Sequence, residues 1–413
     1  MLKQISINSL WLFTGRVLAQ GLNLVFLGII ARRLGVLAFG EYALFASILR
    51  VANYFTTYGA DALLIREIAR ERRFSHSAST ALWLQLSLSA AWMILVGIIC
   101  LFPVWDGWTR GAFFILNLSL FPLAFQVTYN SVLRAFERME ISAGLNVFSL
   151  FVQALAAILL VTHPDDLLLL CIGYFATQII SALAGHLACK WAVRDFAMSE
   201  KPILPDIWAM LRSGWQLALL APLSAIFQRL NLFVLTIFGG KELVGLLSAS
   251  SRFLDGIRLG HFSVSNGMMP AMARPSTPET DSSLRRSFFL LLAWSVLAAS
   301  GISLFAGLII RIIFGIEYLA SVPALQIMGW VLVPYTFSVY YSLKLTMRHR
   351  ESVVLKANLL ALPLAIIIYS ILILKDGLLG SAWATLASES IFVIIILLLR
   401  NTSADARHEP PIA

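Results

Sequence analysis

Apolar runs separated by short polar turns recur along almost the whole chain. A helix needs about 20 such residues to cross the hydrocarbon core of a bilayer, whereas a barrel strand alternates over about ten. The runs therefore predict twelve helical spans, at roughly 8–31, 41–63, 79–102, 112–134, 141–162, 166–189, 211–238, 243–267, 287–313, 320–343, 352–374 and 378–400.

Polar positions inside these runs are ordered. In the first hairpin, Asn8 to Asp61, Arg16 lies in one span and Arg50 in the next. A charge at mid-bilayer costs at least about 2.5 kcal/mol, so it is kept for a reason. Arg16, Gln20 and Asn23 fall at i, i+4 and i+7; Ser47, Arg50, Tyr54, Thr57 and Asp61 also share one helical face. The pattern returns later. Ser224, Gln228 and Asn231 line a face of span 7 with Arg229 beside them; Ser251, Asp255 and Arg258 share a stripe on span 8, next to Arg252. Spans 4 and 5 carry Gln126 and Asn130, then Ser142, Asn146, Ser149 and Gln153. Such stripes face other helices or a hydrated cavity.

Composition agrees with this reading. The chain is 59% hydrophobic and only 13% charged, with a mean hydropathy of +0.83, whereas soluble domains carry about 25% charged residues. Lys3 precedes a first span that continues past Arg16 with no small-residue cleavage site, so that span is expected to be retained. Cys100, Cys171 and Cys189 have neither the spacing of a disulfide framework nor that of a zinc site, and no metal or cofactor is expected. The net charge of +9 is assigned to asymmetry between loops rather than to a nucleic-acid partner. With the N-terminus in the cytoplasm, inner connections hold 17 Lys and Arg against six outside: Arg32, Arg33, Arg110, Lys241, Arg311 and Lys375. This bias favours twelve spans with both termini cytoplasmic. Tryptophans 105, 108, 191 and 208 fall at interface positions.

A Pro-bearing loop near 190–210 splits the spans six and six. Span 1 leads into Gly35-x4-Gly40, and span 7 into Gly240-x4-Gly245. The expected organisation is an N-terminal six-helix lobe (1–200), a C-terminal six-helix lobe (201–400) and a disordered cytoplasmic tail (401–413). Repeats of six spans place a transporter's substrate site at their interface. The fold class is thus all-α integral membrane, about 12 helices in two six-helix lobes around a central cavity.

The sign of the buried charge narrows the chemistry. The deep cations are Arg16, Arg50, Arg229, Arg252 and Arg258, against two deep anions, Asp61 and Asp255. Surplus guanidinium suits an anionic ligand, because it stays charged and grips phosphate with two parallel hydrogen bonds. Internal ion pairs, Arg50 with Asp61 and Arg252 or Arg258 with Asp255, are the competing explanation, and Ser, Asn and Gln stripes also serve as helix–helix glue. His186 and His261 are candidates for a proton relay or for plain hydrogen bonding. Pro122, Pro222 and Pro334 fall inside spans and are expected to mark kinks. No Walker A, Gly-x-Ser-x-Gly or His-Glu-x-x-His sequence occurs, and the outer loops are too short for a soluble active site, so an enzyme is not expected.

Ala31-Arg32-Arg33-Leu34-Gly35 followed by Phe39-Gly40-Glu41-Tyr42 resembles the opening of bacterial polysaccharide flippases, the O-antigen and exopolysaccharide members of the multidrug/oligosaccharidyl-lipid/polysaccharide (MOP) exporter superfamily. The likeness continues through Arg229-x-Asn231, Ala249-Ser250-Ser251-Arg252, Phe314-Gly315-Ile316-Glu317-Tyr318 and Gly377-x-x-Gly380-Ser381-Ala382. Asn231 departs from the Asp expected there.

The resemblance implies a flippase moving a polyprenyl-pyrophosphate-linked oligosaccharide repeat unit from the inner to the outer leaflet of the bacterial cytoplasmic membrane by alternating access. O-antigen, capsule or exopolysaccharide synthesis would be its setting, and a glycan polymerase and a chain-length regulator its partners. Substrate-binding candidates are Arg16, Gln20, Asn23, Arg50, Arg229, Asn231, Arg252 and Arg258; ion-coupling candidates are Asp61 and Asp255. The alternatives are a multidrug or cation antiporter of the same superfamily, a peptidoglycan lipid-precursor flippase, and a non-transporting scaffold of a glycan assembly complex.

Overall fold

The computed structural model describes residues 2–71, 75–102, 106–193, 196, 204–272, 278–347 and 350–402; the side chains of Arg16 and Ser224 lie outside the described residues, as do Trp105 and the expected tail 403–413. Every long element is an α-helix, as lipid demands, because only a helix or a closed barrel satisfies its own backbone there. Large side chains not covered by protein are those lipid accepts, with Leu101, Ile237, Leu297 and Leu304 all exposed.

Three continuous helical stretches are far longer than a bilayer is thick. Leu2–Thr57 has 56 residues, Leu204–Met272 has 69 and Glu351–Thr402 has 52, against about 20 for one crossing. Each is broken by one glycine in a non-helical conformation, Gly35, Gly240 and Gly377. The chain reverses at all three. The Phe26 and Tyr42 rings meet edge to face across Gly35, with centroids 6.2 Å apart. Tyr369 Oη donates to Thr385 Oγ1 across Gly377 at 3.1 Å. Sixteen residues of straight helix would separate either pair by about 24 Å. An ion pair between Arg229 and Asp255 spans Gly240 in the same way.

The helices are therefore α1 (2–34), α2 (36–57), α3 (Ala60–Glu71), α4 (Ser75–Leu101), α5 (Gly107–Leu118), α6 (Leu120–Ala135), α7 (Met139–Leu160), α8 (Leu167–Ala192), α9 (204–239), α10 (241–272), α11 (Pro278–Ile313), α12 (Val322–Gly329), α13 (Leu332–Met347), α14 (351–376) and α15 (378–402). Among the described residues, eight helices are long and apolar enough to cross a membrane, and three of them contain the reversals, so each of those supplies two crossings. The pair α12 and α13, bent by 43°, supplies one more. The expected twelve spans are all present.

The two halves repeat each other in detail. Gly35 (φ 73°, ψ 177°) and Gly240 (φ 80°, ψ 175°) hold nearly the same conformation, one that L side chains rarely adopt. The fourth span of each half is broken, at Ser119 between α5 and α6 and at Trp330–Val331 between α12 and α13. Pro122 and Pro334 each stand in the first turn after the break, where a missing amide hydrogen costs nothing. They sit beside interruptions rather than kinking continuous helices.

By internal contacts the chain divides into residues 1–228 and 229–413. In the first unit, Ala60, Leu64 and Ile68 of α3 pack with Ala78, Ala81 and Leu84 of α4, Val132 and Leu133 of α6, Cys189 of α8 and Met210 of α9. Tyr58, at the break between α2 and α3, donates to the Leu211 carbonyl at 3.2 Å and ties α9 to this cluster. In the second unit, Met268 and Met272 pack with Leu284 and Leu291 of α11.

Candidate functional site

Many polar stripes of the first unit are cross-helix glue. Gln126 Nε2 donates to Gln178 at both its backbone carbonyl (2.9 Å) and Oε1 (2.7 Å), joining α6 to α8. Ser142 Oγ donates to Asn130 Oδ1 at 2.8 Å and accepts from Arg134 Nε at 3.3 Å, joining α7 to α6. Gln85 Nε2 donates to Thr128 Oγ1 at 3.2 Å, joining α4 to α6. Each bond satisfies groups that lipid cannot. His186 is packed between the rings of Tyr129 and Phe196 at 5.6 and 5.8 Å.

The first-hairpin candidates are different. Arg50 is exposed on α2, and its charge acts on Tyr174 of α8. No ion pair forms between Arg50 and Asp61, which instead occupies the first turn of α3, where the helix dipole favours an anion. Gln20 and Asn23 are half-buried on α1, and no hydrogen bond or ion pair joins them to Arg50 among the described residues. Arg33, counted from the sequence as an outer-loop cation, has a structural job. Its Nη1 donates to the carbonyls of Ile158 and Val161 and, at 3.5 Å, of Ala157, closing the C-terminal end of α7.

The second unit brings its candidates together. Arg229 on α9, Asn231 on α9 and Arg252 on α10 are all buried. Arg229 Nη2 donates to Asp255 Oδ2 at 3.1 Å, and Arg258 Nη1 lies 3.9 Å from Asp255 Oδ1. Asp255 is thus held by α9 across the Gly240 turn and by its own helix one turn on. Arg258 also lies over the Tyr335 ring of α13, 4.5 Å from its centroid. Asn231 Oδ1 accepts from the Leu232 amide at 2.8 Å. His261 is fully buried, with Nε2 2.8 Å from Ser295 Oγ and 2.9 Å from Thr336 Oγ1.

The tally of deep anions was too short. Glu41 is buried on α2, and Glu389 lies on α15 near Arg258, Tyr335 and Tyr369. Its signal in the sequence is a lone acid in an apolar span, on one stripe with Ser381, Thr385 and Ser388. Ser338 Oγ of α13 bonds Glu389 Oε1. With Glu389 ionised, α9, α10 and α15 hold Arg229, Arg252 and Arg258 against Asp255 and Glu389, which still leaves one positive charge over.

Comparison with known proteins follows the same lines. The profile of the polysaccharide biosynthesis protein family matches residues 6–276. No curated protein matches the chain by sequence. Among solved structures, the lipid II flippase MurJ in an inward closed conformation is 18% identical with a TM-score of 0.76, over 96% of this chain and 87% of that one. An inward-facing multidrug resistance MATE family transporter of the MOP superfamily is 16% identical with a TM-score of 0.75, over 95% and 96%. A MOP superfamily transporter from Pyrococcus furiosus Vc1 (DSM3638) is 16% identical with a TM-score of 0.70, over 99% and 97%. At these identities the likeness carries the fold, two lobes built from twelve helices. The profile match over most of the chain, on that fold, settles the family: this is a multi-span membrane protein of the polysaccharide biosynthesis family.

Proposed function

We propose that the protein is a flippase for a polyprenyl-pyrophosphate-linked oligosaccharide repeat unit. It moves this cargo from the inner to the outer leaflet of the bacterial cytoplasmic membrane by alternating access, supplying O-antigen, capsule or exopolysaccharide synthesis. Both termini are cytoplasmic, and the two functional lobes divide at 200/201. A glycan polymerase and a chain-length regulator act on the delivered cargo.

The observation that carries this reading is the surplus of guanidinium around Asp255, where Arg229 and Arg258 share one carboxylate and Arg252 is buried nearby. A site with spare positive charge away from bulk water suits a pyrophosphate head group. In the first half, Arg16 and Arg50 are the head-group candidates and Gln20 and Asn23 the candidates for sugars; in the second half Asn231 is the amide candidate. Asp61 and Asp255 are the first candidates for coupling to an ion gradient. The lipid II flippase MurJ shares the fold, and membership of a polysaccharide biosynthesis family favours a glycan cargo over a drug.

Replacing Arg16, Arg50 and Arg229 together by Gln is expected to abolish surface glycan while the protein remains in the membrane. Full glycan export by that variant would refute the head-group role. Movement of a pyrophosphate-linked lipid in vesicles reconstituted with the purified protein separates a flippase from a scaffold.

A further inference from the structure

The hydroxyl of Ser338 has more acceptors than protons. Its Oγ lies 3.0 Å from the Tyr335 carbonyl, to which it donates within α13, and it also contacts Glu389 Oε1. A serine has one hydrogen to give. If Glu389 is ionised, the carboxylate and the carbonyl compete for that hydrogen. If Glu389 is protonated, its own O–H donates to Ser338 Oγ, Ser338 donates to the Tyr335 carbonyl, and both contacts are made. The arrangement is complete only with a proton on Glu389.

The surroundings fit a group that changes charge. Glu389 is half-buried on α15. Arg258 and Asp255 approach from α10, Tyr335 from α13 and Tyr369 from α14, with His261 beyond the Tyr335 ring at 5.4 Å. Arg258 influences Glu389 through its charge, while its nearest carboxylate is Asp255, at 3.9 Å. One guanidinium is thus placed to answer to two acids.

We infer that Glu389 is a proton-binding residue of the second unit and that its proton is exchanged against the charge of Arg258. In the protonated form, Arg258 stays over Tyr335 beside Asp255. When Glu389 releases its proton to water, the Ser338 hydroxyl turns to the new carboxylate and Arg258 faces a second anion. Protonation therefore raises the local surplus of positive charge from one to two. Resting on the reading of these arginines as an anion site, proton uptake at Glu389 strengthens anion binding, and by linkage anion binding promotes proton uptake.

The test uses the full-length protein in lipid nanodiscs. Infrared difference spectra between acidic and alkaline buffer should show a protonated carboxyl band that disappears on alkalinisation. The band should be absent in Glu389→Gln and retained in Asp255→Asn. Ser338→Ala keeps the acid but removes its hydrogen-bond partner in both charge states, and should shift the midpoint; it serves also if Glu389→Gln does not fold. A band unchanged in Glu389→Gln, no such band in the wild type, or an unmoved midpoint in Ser338→Ala would overturn the assignment. Inorganic pyrophosphate is the ligand probe. Its affinity should fall more steeply with rising pH in the wild type than in Glu389→Gln, and equal slopes would overturn the coupling. If pyrophosphate binds neither protein while the Glu389 band is present, the proton site stands and the anion-site reading fails.

Discussion

Arg229 Nη2 donates to Asp255 Oδ2 over 3.1 Å, and this one contact clips α9 to α10 below the Gly240 turn. Arg229 is nearly covered, whereas Asp255 keeps 29% of its side-chain surface accessible. Removing one member of a buried pair strands the other charge and costs about 3 kcal/mol, the lower end of the usual range, given that accessibility. Asp255→Asn should therefore lower the thermal unfolding midpoint in detergent. The double change Arg229→Gln/Asp255→Asn should recover most of that loss without recovering glycan export, because it returns the local charge to its starting value but not the cation.

Arg33 should act on stability. Arg33→Ala leaves the last carbonyls of α7 without their donor, at a cost of about 1–3 kcal/mol. Arg33→Lys, with one compact ammonium in place of a fork, should recover part of it. Glycan export should follow the amount of folded protein, as measured by size-exclusion of the detergent-solubilised variants.

The hairpin glycines should differ in tolerance. A Cβ at Gly240 meets nothing within 4 Å, so Gly240→Ala bears only the backbone strain of φ +80° and ψ 175°, a region nearly confined to glycine that costs about 1–3 kcal/mol. A Cβ at Gly380 would lie 1.8 Å from the Leu372 carbonyl oxygen, within the backbone of α14. Gly380→Ala should yield little or no monodisperse protein, and Gly240→Ala near-normal amounts.

The turn between α7 and α8 should loosen with acid. Asp166 accepts from the Thr162 and His163 amides, each at 2.7 Å, and these amides hold its carboxyl below the usual range. A depressed carboxyl contributes stability that is present above its ordinary value and is lost as pH falls through the lowered one. Hydrogen exchange across 161–166, corrected for the intrinsic rate, should stay slow at neutral pH and quicken in acid. Asp166→Asn should show the fast exchange already at neutral pH.

The spans were legible because lipid leaves a chain few choices, and runs of apolar residues report that directly. The turns were legible because Gly35 and Gly240 require a conformation open to glycine, so the spacing to Gly40 and Gly245 marked a real repeat. The resemblance itself rests largely on packing: the Phe314 and Tyr318 rings meet at a tilt with centroids 5.7 Å apart, and Ser381 and Ala382 are fully buried. Side-chain partners were harder to read. Helical spacing shows that Gln126 and Asn130 share a face, but not that Gln178 and Ser142 stand opposite. Spacing within α10 allowed Asp255 to pair with Arg258 but gave no sign that Arg229, twenty-six residues earlier, would reach it first. Glu389 is harder to read because its stripe with Ser381, Thr385 and Ser388 carries no second charge.

The matched bends at Gly35 and Gly240 bear on ancestry. Two copies of one six-span ancestor could part in every side chain while the bend stayed fixed, since almost any other residue there strains the backbone. What the two halves hold in common here is a way of folding back, while the side chains mounted on it differ.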